Sequence, residues 1–181
     1  MPFLPNYRIS SALLNNLKEI AVLVYELNKQ SPGKLVALKL IHEARAQSAY
    51  ASTTIEGNPL ALTKVKALLK QNPKRLGQSE QEVLNYNKAI SRLEGKSFNE
   101  RTVLSLHKTV MQKLLVKEKL GSYRQEPVFI HHPAKGEVIF LPPDHKDVAN
   151  LMRELYVFIK TNQDLDAVIL AGLFHKQFVL I

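Results

Sequence analysis

The spacing of apolar residues along the chain predicts a protein built mostly from helices. Between Leu13 and Leu27 apolar residues recur at intervals of three and four, which is the period of one helix face. Ser31-Pro32-Gly33 interrupts that pattern, and a second helical segment extends from Leu35 to about Ile55. One side of this segment carries Leu38, Ile41, Arg45, Ser48 and Ser52. A short basic helix is predicted from Thr63 to Gln71.

Capping residues predict two further helices in the middle of the chain. Ser79-Glu80-Gln81-Glu82 matches a capping box, in which the serine oxygen and the glutamate three residues later bind free amide groups at a helix start. We expect the fourth helix to begin there and to end near Leu93. Asn99 is a favoured residue type at a helix N-terminus, and it predicts the start of the fifth helix.

After Gly121 the pattern changes to short β-prone runs. Residues 128–130 and 138–141 flank the polar turn HHPAKGE, which predicts a β-hairpin. Asp144 can cap a sixth helix, and a last helix is predicted from about Leu165 to the end of the chain. The predicted fold class is therefore mostly α, with about seven helices and one hairpin in a single domain, 1–181.

Composition narrows the class of protein. A chain of 181 residues can bury a substantial core. It has neither an apolar run of the ~20 residues needed to cross a bilayer nor the residue order of a signal peptide, so we expect a soluble cytoplasmic protein with no membrane partner. The absence of cysteine excludes a disulfide framework, a thiolate metal site and a cysteine nucleophile.

The net charge of +9 makes phosphate-bearing partners plausible. Residues 57–79 carry five lysine or arginine side chains and no acid, and such a face can bind nucleic acid or can simply be solvated. No aromatic side chain lies between these lysines to stack on bases, which favours the solvated interpretation. A non-catalytic binding module for protein or nucleic acid is the second functional interpretation of the sequence.

Glu56 raises a separate question, because it lies at the predicted C-terminus of the second helix. A carboxylate there meets the negative end of the helix dipole, at a cost of a few tenths to about 1 kcal/mol. Ser52 lies four residues earlier and shares its helix face. Glu56 is either an ordinary exposed acid or the partner of a cation, and Ser52 either bonds to its own helix backbone or has a special role.

Four motifs, in this order, resemble those of one known family. Residues 52–57, STTIEG, match the pattern S/T-x-x-x-E-G/N of an inhibitory helix. Gly121-Ser122-Tyr123-Arg124 matches G-x-Y-R, and residues 128–143 follow the family's flap, two short strands that end in Pro-Pro. Residues 171–181 are similar to the helix that leads into the loop H-P-F-x-x-G-N-G-R. The chain thus resembles the Fic family, AMP-transferring domains first linked to cell filamentation, in the class with an N-terminal inhibitory helix.

The resemblance implies a Fic-type helical bundle and a lineage of protein adenylyltransferases. These enzymes move AMP from ATP to a Ser, Thr or Tyr hydroxyl of a target protein, with ATP and Mg²⁺ as cofactors. The family's loop brings the basic histidine, the acid that holds magnesium, and the glycines and arginines that hold the phosphates. That loop would follow Ile181 and is absent from these residues. We therefore expect no catalytic residue here and no activity of this chain alone, and we interpret its end as a cut.

The resemblance assigns an inhibitory motif to Ser52, Glu56 and Gly57. In the family this glutamate pairs with the second arginine of the loop and so keeps that arginine from the γ-phosphate of ATP. The same resemblance divides the chain into an inhibitory region, about 1–75, and a partial Fic core, about 76–181.

The resemblance also gives the hairpin and Arg124 candidate roles. Val138, Ile139 and Phe140 would form a flap edge that docks an extended segment of the target protein, although an unpartnered surface hairpin is the alternative. Arg124 either anchors its loop to a helix C-terminus or contacts phosphate. The apolar last helix could instead pair with a second copy of the chain.

The histidines do not predict a metal site. His131 and His132 are adjacent, and neighbours on a strand point to opposite faces, so we expect a polar turn there. His175 lies on an apolar helix face, and we predict a core histidine bonded to backbone.

Overall fold

The computed structural model describes residues 3–71, 73, 75–93, 95–132 and 136–181, and it confirms the mostly α fold class. Within these ranges there are seven α-helices, one short 3-10 helix and one two-stranded hairpin. The chain forms two compact units, one from Met1–Ser31 with Tyr123–Ile181 and the other from Pro32–Ser122. The predicted division near residue 75 stays a prediction.

The helices lie close to their predicted positions. Their bounds are α1 Ser11–Asn28, α2 Lys34–Ile55, α3 Leu62–Gln71, α4 Gln78–Ser91, α5 Glu100–Val110, α6 His145–Thr161 and α7 Ala167–Leu180, with a 3-10 turn at Lys117–Lys119. No helix in the described part of the chain combines the length and the apolar character needed to cross a bilayer.

The core of the Pro32–Ser122 unit lies where α2, α3 and α4 pack together. Its centre consists of the buried side chains Ala49, Val65, Leu68 and Val83. Burying one large aliphatic side chain of this kind stabilises a fold by about 1.5–3 kcal/mol. The buried amide of Asn85 on α4 donates to the carbonyl oxygens of Val110 and Gln112, at 2.8 and 2.7 Å, and so holds the C-terminal end of α5.

The buried side chains of α2 lie in its second half. Its buried residues are Ala46 and Ala49, whereas Leu38 and Ile41 are exposed. The 10-residue α3 and the 14-residue α4 are shorter than the 22-residue α2, so they cover only part of its length. The predicted first helix is confirmed as α1, and its apolar face contributes no buried side chain.

The start of α4 lies two residues before the predicted one. Gly77 rather than Ser79 is the N-cap, and its N–H donates to Glu80 Oε2 at 3.0 Å. The capping glutamate is therefore Glu80 and not Glu82. By contrast, the predicted caps Asn99 and Asp144 are confirmed, since their side chains accept the N–H groups of the first turns of α5 and α6.

In the other unit α6 packs against α7. The buried side chains are Val148, Met152, Leu155 and Phe158 on α6 and Leu173 on α7. Phe3 lies edge-on against Phe158, with ring centroids 4.9 Å apart. This contact fastens the start of the chain to α6.

The predicted hairpin is confirmed, with shorter strands than expected. Strand β1 is Ile130–His131 and β2 is Val138–Phe140, and the two are antiparallel. Ile130 pairs with Phe140 and His131 with Val138, with an irregularity between the two pairs. Residues 133–135 of the predicted turn lie outside the described residues.

Gly121 occupies a position that fits only glycine. Its φ is +73°, and a Cβ there would lie 3.1 Å from the carbonyl oxygen of Leu104 and 3.2 Å from Lys108 Cβ. Its N–H donates to His107 Nδ1 at 3.0 Å, and burial lowers the pKa of His107, which favours the neutral acceptor form. The glycine of the G-x-Y-R motif thus allows the backbone to pack closely against α5.

Gly121→Ala should therefore destabilise the protein by about 1–3 kcal/mol, because it combines an unfavourable φ with a collision against backbone. Gly95→Ala is the matched control, since Gly95 has a φ of +69° but open space around its Cβ position. We expect the control to cost about 1 kcal/mol from backbone conformation alone. Urea unfolding measures both values, and equal losses would contradict the close-approach explanation.

Candidate regulatory site and flap

Two backbone hydrogen bonds around Gly57 end α2. Gly57 has a φ of +90°, and its N–H donates to the carbonyl of Thr54 at 2.9 Å. The N–H of Asn58 donates to the carbonyl of Thr53 at 3.0 Å. These two bonds are those of a Schellman motif, which needs a left-handed residue and so favours glycine. The backbone itself therefore fixes where the helix ends.

Asn58 anchors this helix end in the protein. Its side chain is buried, and its Nδ2 donates to the carbonyl of Ser79 at 2.9 Å and to Glu82 Oε2 at 2.8 Å. Its Oδ1 accepts the N–H of Leu60 at 3.1 Å. Sequence analysis missed Asn58, although an asparagine directly after a helix-ending glycine is a recognisable turn signal.

Ser52 connects α2 to α4 and does not bond to its own helix. Its hydroxyl donates to the Tyr86 hydroxyl at 2.8 Å, and Ser48 Oγ lies 3.2 Å from the same oxygen. Thr53 is the residue that bonds back to the helix, at the carbonyl of Ala49, 2.8 Å away. Ser52 thus fixes the rotation of the last turn of α2.

Glu56 lies between these anchored residues and is exposed. It is the C-cap of α2, and its carboxylate has no hydrogen-bond or ion-pair partner within the described residues. The other acids near this helix end are engaged, since Glu82 binds Asn58 and Gln78, and Glu80 binds Lys64 at 3.2 Å. Glu56 is therefore an exposed carboxylate without a protein partner in the described structure, at the negative end of a helix.

The flap residues lie on an exposed strand. Val138 and Ile139 are 53% and 60% exposed, and Phe140 is half-buried. In the described part of the chain β2 pairs only with β1, so its second edge presents backbone groups without a strand partner. Such an edge can accept a further extended segment through main-chain hydrogen bonds.

Arg124 anchors the base of the flap to the end of α7. Its Nη2 donates to the carbonyl oxygen of Pro143 at 2.6 Å and to that of Ile181 at 2.8 Å. These contacts match the anchoring interpretation, in which a cation binds the free carbonyls of a helix C-terminus. Its Nη1 is buried without a hydrogen-bond partner among the described residues. The phosphate role of Arg124 stays a prediction.

Binding of Mg²⁺ and ATP by this chain stays a prediction. No group of three His, Asp or Glu side chains converges among them in a way that could hold a metal ion. The loop that the family resemblance assigns to the phosphates is not in the sequence. His175 is exposed, so the prediction of a core histidine was wrong. The side chain of His131 lies outside the described structure.

Two lysines of the basic stretch have acidic partners. Lys64 pairs with Glu80 at 3.2 Å, and Lys66 pairs with Glu43. The hydrogen bond from the Gly77 N–H, and then the contact with Lys64, lower the pKa of the Glu80 carboxyl. The contact with Lys66 lowers the pKa of the Glu43 carboxyl. The stretch that is free of acids in sequence is thus partly neutralised in the fold.

Two solved structures are similar to this chain. A Fic family protein from Desulfovibrio desulfuricans G20 superposes with a TM-score of 0.82 and 25% identity, over 99% of this chain and 54% of that one. A Fic domain containing signaling protein from Bacteroides thetaiotaomicron VPI-5482 gives 0.74 and 20% identity, over 92% of this chain and 65% of that one. The chain thus spans between half and two thirds of these proteins. No protein-family model and no curated protein matches it.

Asn58→Ala should destabilise the protein by about 1–3 kcal/mol, because it leaves the Ser79 carbonyl, the Glu82 carboxylate and the Leu60 N–H without their partner. Glu56→Gln is the matched neighbour. We expect it to leave stability unchanged or slightly raised, since it removes a charge from the negative helix end. Urea unfolding measures the stability of both variants and shows whether Asn58, but not Glu56, holds the helix end. A large loss of stability in Glu56→Gln would show a structural role that the geometry does not explain.

Arg124→Gln should detach the flap base, because the shorter and neutral Gln side chain does not reach the Pro143 and Ile181 carbonyls as the guanidinium does. We expect a stability loss of about 1.5–3 kcal/mol and faster cleavage between residues 125 and 142 in limited proteolysis. Arg153→Gln is the control, because among the described residues the exposed Arg153 bonds only to Asn150 on its own helix. Identical cleavage patterns in the two variants would rule out the anchoring role.

Proposed function

We propose, from the Fic-type fold of this chain, that it is part of a protein adenylyltransferase and that Glu56 holds the enzyme inactive. The substrate class is a protein with an accessible Ser, Thr or Tyr hydroxyl. The donor of the AMP group is ATP.

The observation that carries the regulatory part is the contrast between Glu56 and its neighbours. Ser52, Gly57 and Asn58 each have a structural task, because they set the rotation, the end and the anchoring of α2. Glu56 has none and stays at the electrostatically unfavourable end of the helix. The neighbouring residues already determine this turn, so the fold does not require a carboxylate at the unfavourable position. This supports a functional reason for Glu56.

A guanidinium is the cation that suits this position best. Arginine binds a carboxylate through two parallel N–H···O bonds, and such charge-assisted pairs are stronger than neutral ones. The gain exceeds the dipole penalty of a few tenths to about 1 kcal/mol. An arginine held by Glu56 is unavailable to a nucleotide phosphate, which is the proposed means of inhibition.

The flap supports a target protein as the second substrate. The free edge of β2 offers backbone groups, and Val138 and Ile139 offer apolar contact to an extended segment. Arg124 holds the base of this hairpin at Pro143. A fixed base would let the flap position a target hydroxyl reproducibly.

A nucleic-acid function receives less support from the same residues. Lys64 and Lys66 are engaged with Glu80 and Glu43, and no aromatic residue lies between the lysines for base stacking. Assembly with a second copy through the exposed side of α7, which carries Val168, Phe178 and Val179, stays a prediction.

The test is AMP incorporation from labelled ATP with Mg²⁺. The 181-residue chain should give no labelled protein, because it lacks the family's phosphate-binding loop. A chain extended beyond Ile181 by a segment that carries the H-P-F-x-x-G-N-G-R loop should give weak labelling, and Glu56→Gly in that extended chain should raise it at least about tenfold, since about 1.4 kcal/mol of inhibition corresponds to that factor.

Glu118→Gly in the extended chain is the control, because Glu118 is an exposed acid of the same unit outside the inhibitory motif. Labelling by the 181-residue chain would overturn the requirement for the absent loop. Equal labelling by the extended chain with and without Glu56 would overturn the inhibition, while leaving the transfer reaction in place.

A further inference from the structure

A groove without carboxylates follows α4 in the Pro32–Ser122 unit. Its larger part has a volume of about 760 Å³, and a smaller part of about 500 Å³ shares Leu76, Gln81 and Lys113 with it. We call the two parts the α4 groove. None of its described lining residues is acidic. Two adjoining open parts of this kind leave room for several residues of a peptide.

The cations of the α4 groove are not neutralised. Arg75 and Lys113 are exposed and have no acidic partner in the described structure, and Lys88 donates only to the amide oxygen of Gln112, at 3.3 Å. The nearest acids along α4 are already engaged, because Glu80 binds the Gly77 N–H and Lys64, while Glu82 binds Asn58 and Gln78. The groove therefore presents unpaired positive charge to a ligand.

Lys113 is held in a conformation that its residue type disfavours. Its φ is +65°, and it lies in the turn after α5 that is closed by the bond from the Leu114 N–H to the Met111 carbonyl, at 3.0 Å. Among non-glycine residues this left-handed region is uncommon, and strain of this kind is found preferentially at binding sites. The turn costs stability and places a lysine on the groove wall.

The floor of the α4 groove is apolar, and the side-chain amide of Asn85 beside it is already hydrogen-bonded within the protein. Leu69, Leu76 and Leu84 are half-buried, so they offer surface to one apolar side chain. Asn85 uses its amide on Gln81 and on two carbonyl groups. No aromatic side chain lines the described groove, so nothing stacks on a nucleobase.

We infer that the α4 groove docks an extended acidic segment of a partner protein. A leucine-type side chain of the segment lies on the floor, and flanking carboxylates pair with Arg75, Lys88 and Lys113. The inference uses neither Glu56 nor the flap, so it stands or fails independently of the proposed enzyme activity.

The test uses the 181-residue chain and a fluorescein-labelled peptide, Glu-Asp-Glu-Leu-Leu-Asp-Glu-Glu, in fluorescence anisotropy at low salt. We expect saturable binding that weakens at least about tenfold when Arg75, Lys88 and Lys113 are all changed to Gln. The control changes Lys34, Lys39 and Lys96 to Gln, which alters the net charge equally at exposed positions outside the groove. It should weaken binding by less than about twofold.

Lys113→Gly separates the strain from the charge. Glycine relieves the left-handed conformation, so the melting temperature should rise by about 2–4 °C while peptide affinity falls. Replacing both leucines of the peptide by serine should also weaken binding, because the floor then loses its apolar contact.

Three results would overturn the inference. One is an equal loss of affinity in the two triple variants, which would reduce the effect to net charge. Another is equal affinity for the serine and the leucine peptides, which would show that contact with the groove floor does not contribute to binding. The third is tighter binding of a single-stranded oligonucleotide of equal charge, which would assign the groove to nucleic acid.

Discussion

The stop of α2 at Gly57 is the constraint on which the rest of the Pro32–Ser122 unit depends. The left-handed glycine ends the helix through two backbone bonds, and the buried Asn58 fastens that end to α4. The chain can then turn into α3, so that Ala49, Val65 and Val83 meet in one core. A helix continuing past residue 57 would carry Asn58 away from its partners and would separate these elements.

The same stop decides which charges are free. Within this unit Glu43, Glu80 and Glu82 bind neighbouring side chains, whereas Glu56 points to solvent at a helix end that repels it. Arg75 and Lys113 are unpaired cations on the α4 groove. In the described part of this unit, Glu56 and the cations Arg75 and Lys113 have no partner of opposite charge, and they lie in separate places where each can meet a different partner.

The other unit provides a supported hairpin. Arg124 binds the Pro143 carbonyl at the base of the flap and the Ile181 carbonyl after α7, so one guanidinium positions two elements. The apolar residues of β2 stay exposed because only a two-stranded ribbon carries them. A ribbon of this kind depends on its anchoring for stability, since an isolated hairpin is marginal in water.

The sequence by itself determined the helical class, the hairpin, the helix ends at Gly57, Asn99 and Asp144, and the likeness to Fic proteins, because period, caps and glycine act locally along the chain. It did not determine the buried side of α2, the cap of α4 at Gly77 or the exposure of His175. Those depend on which elements cover each other. The tertiary structure alone showed that Asn58 is an anchor, that Ser52 binds Tyr86 and that Lys64 and Lys66 are paired. Such contacts join residues distant in sequence, and no local pattern encodes them.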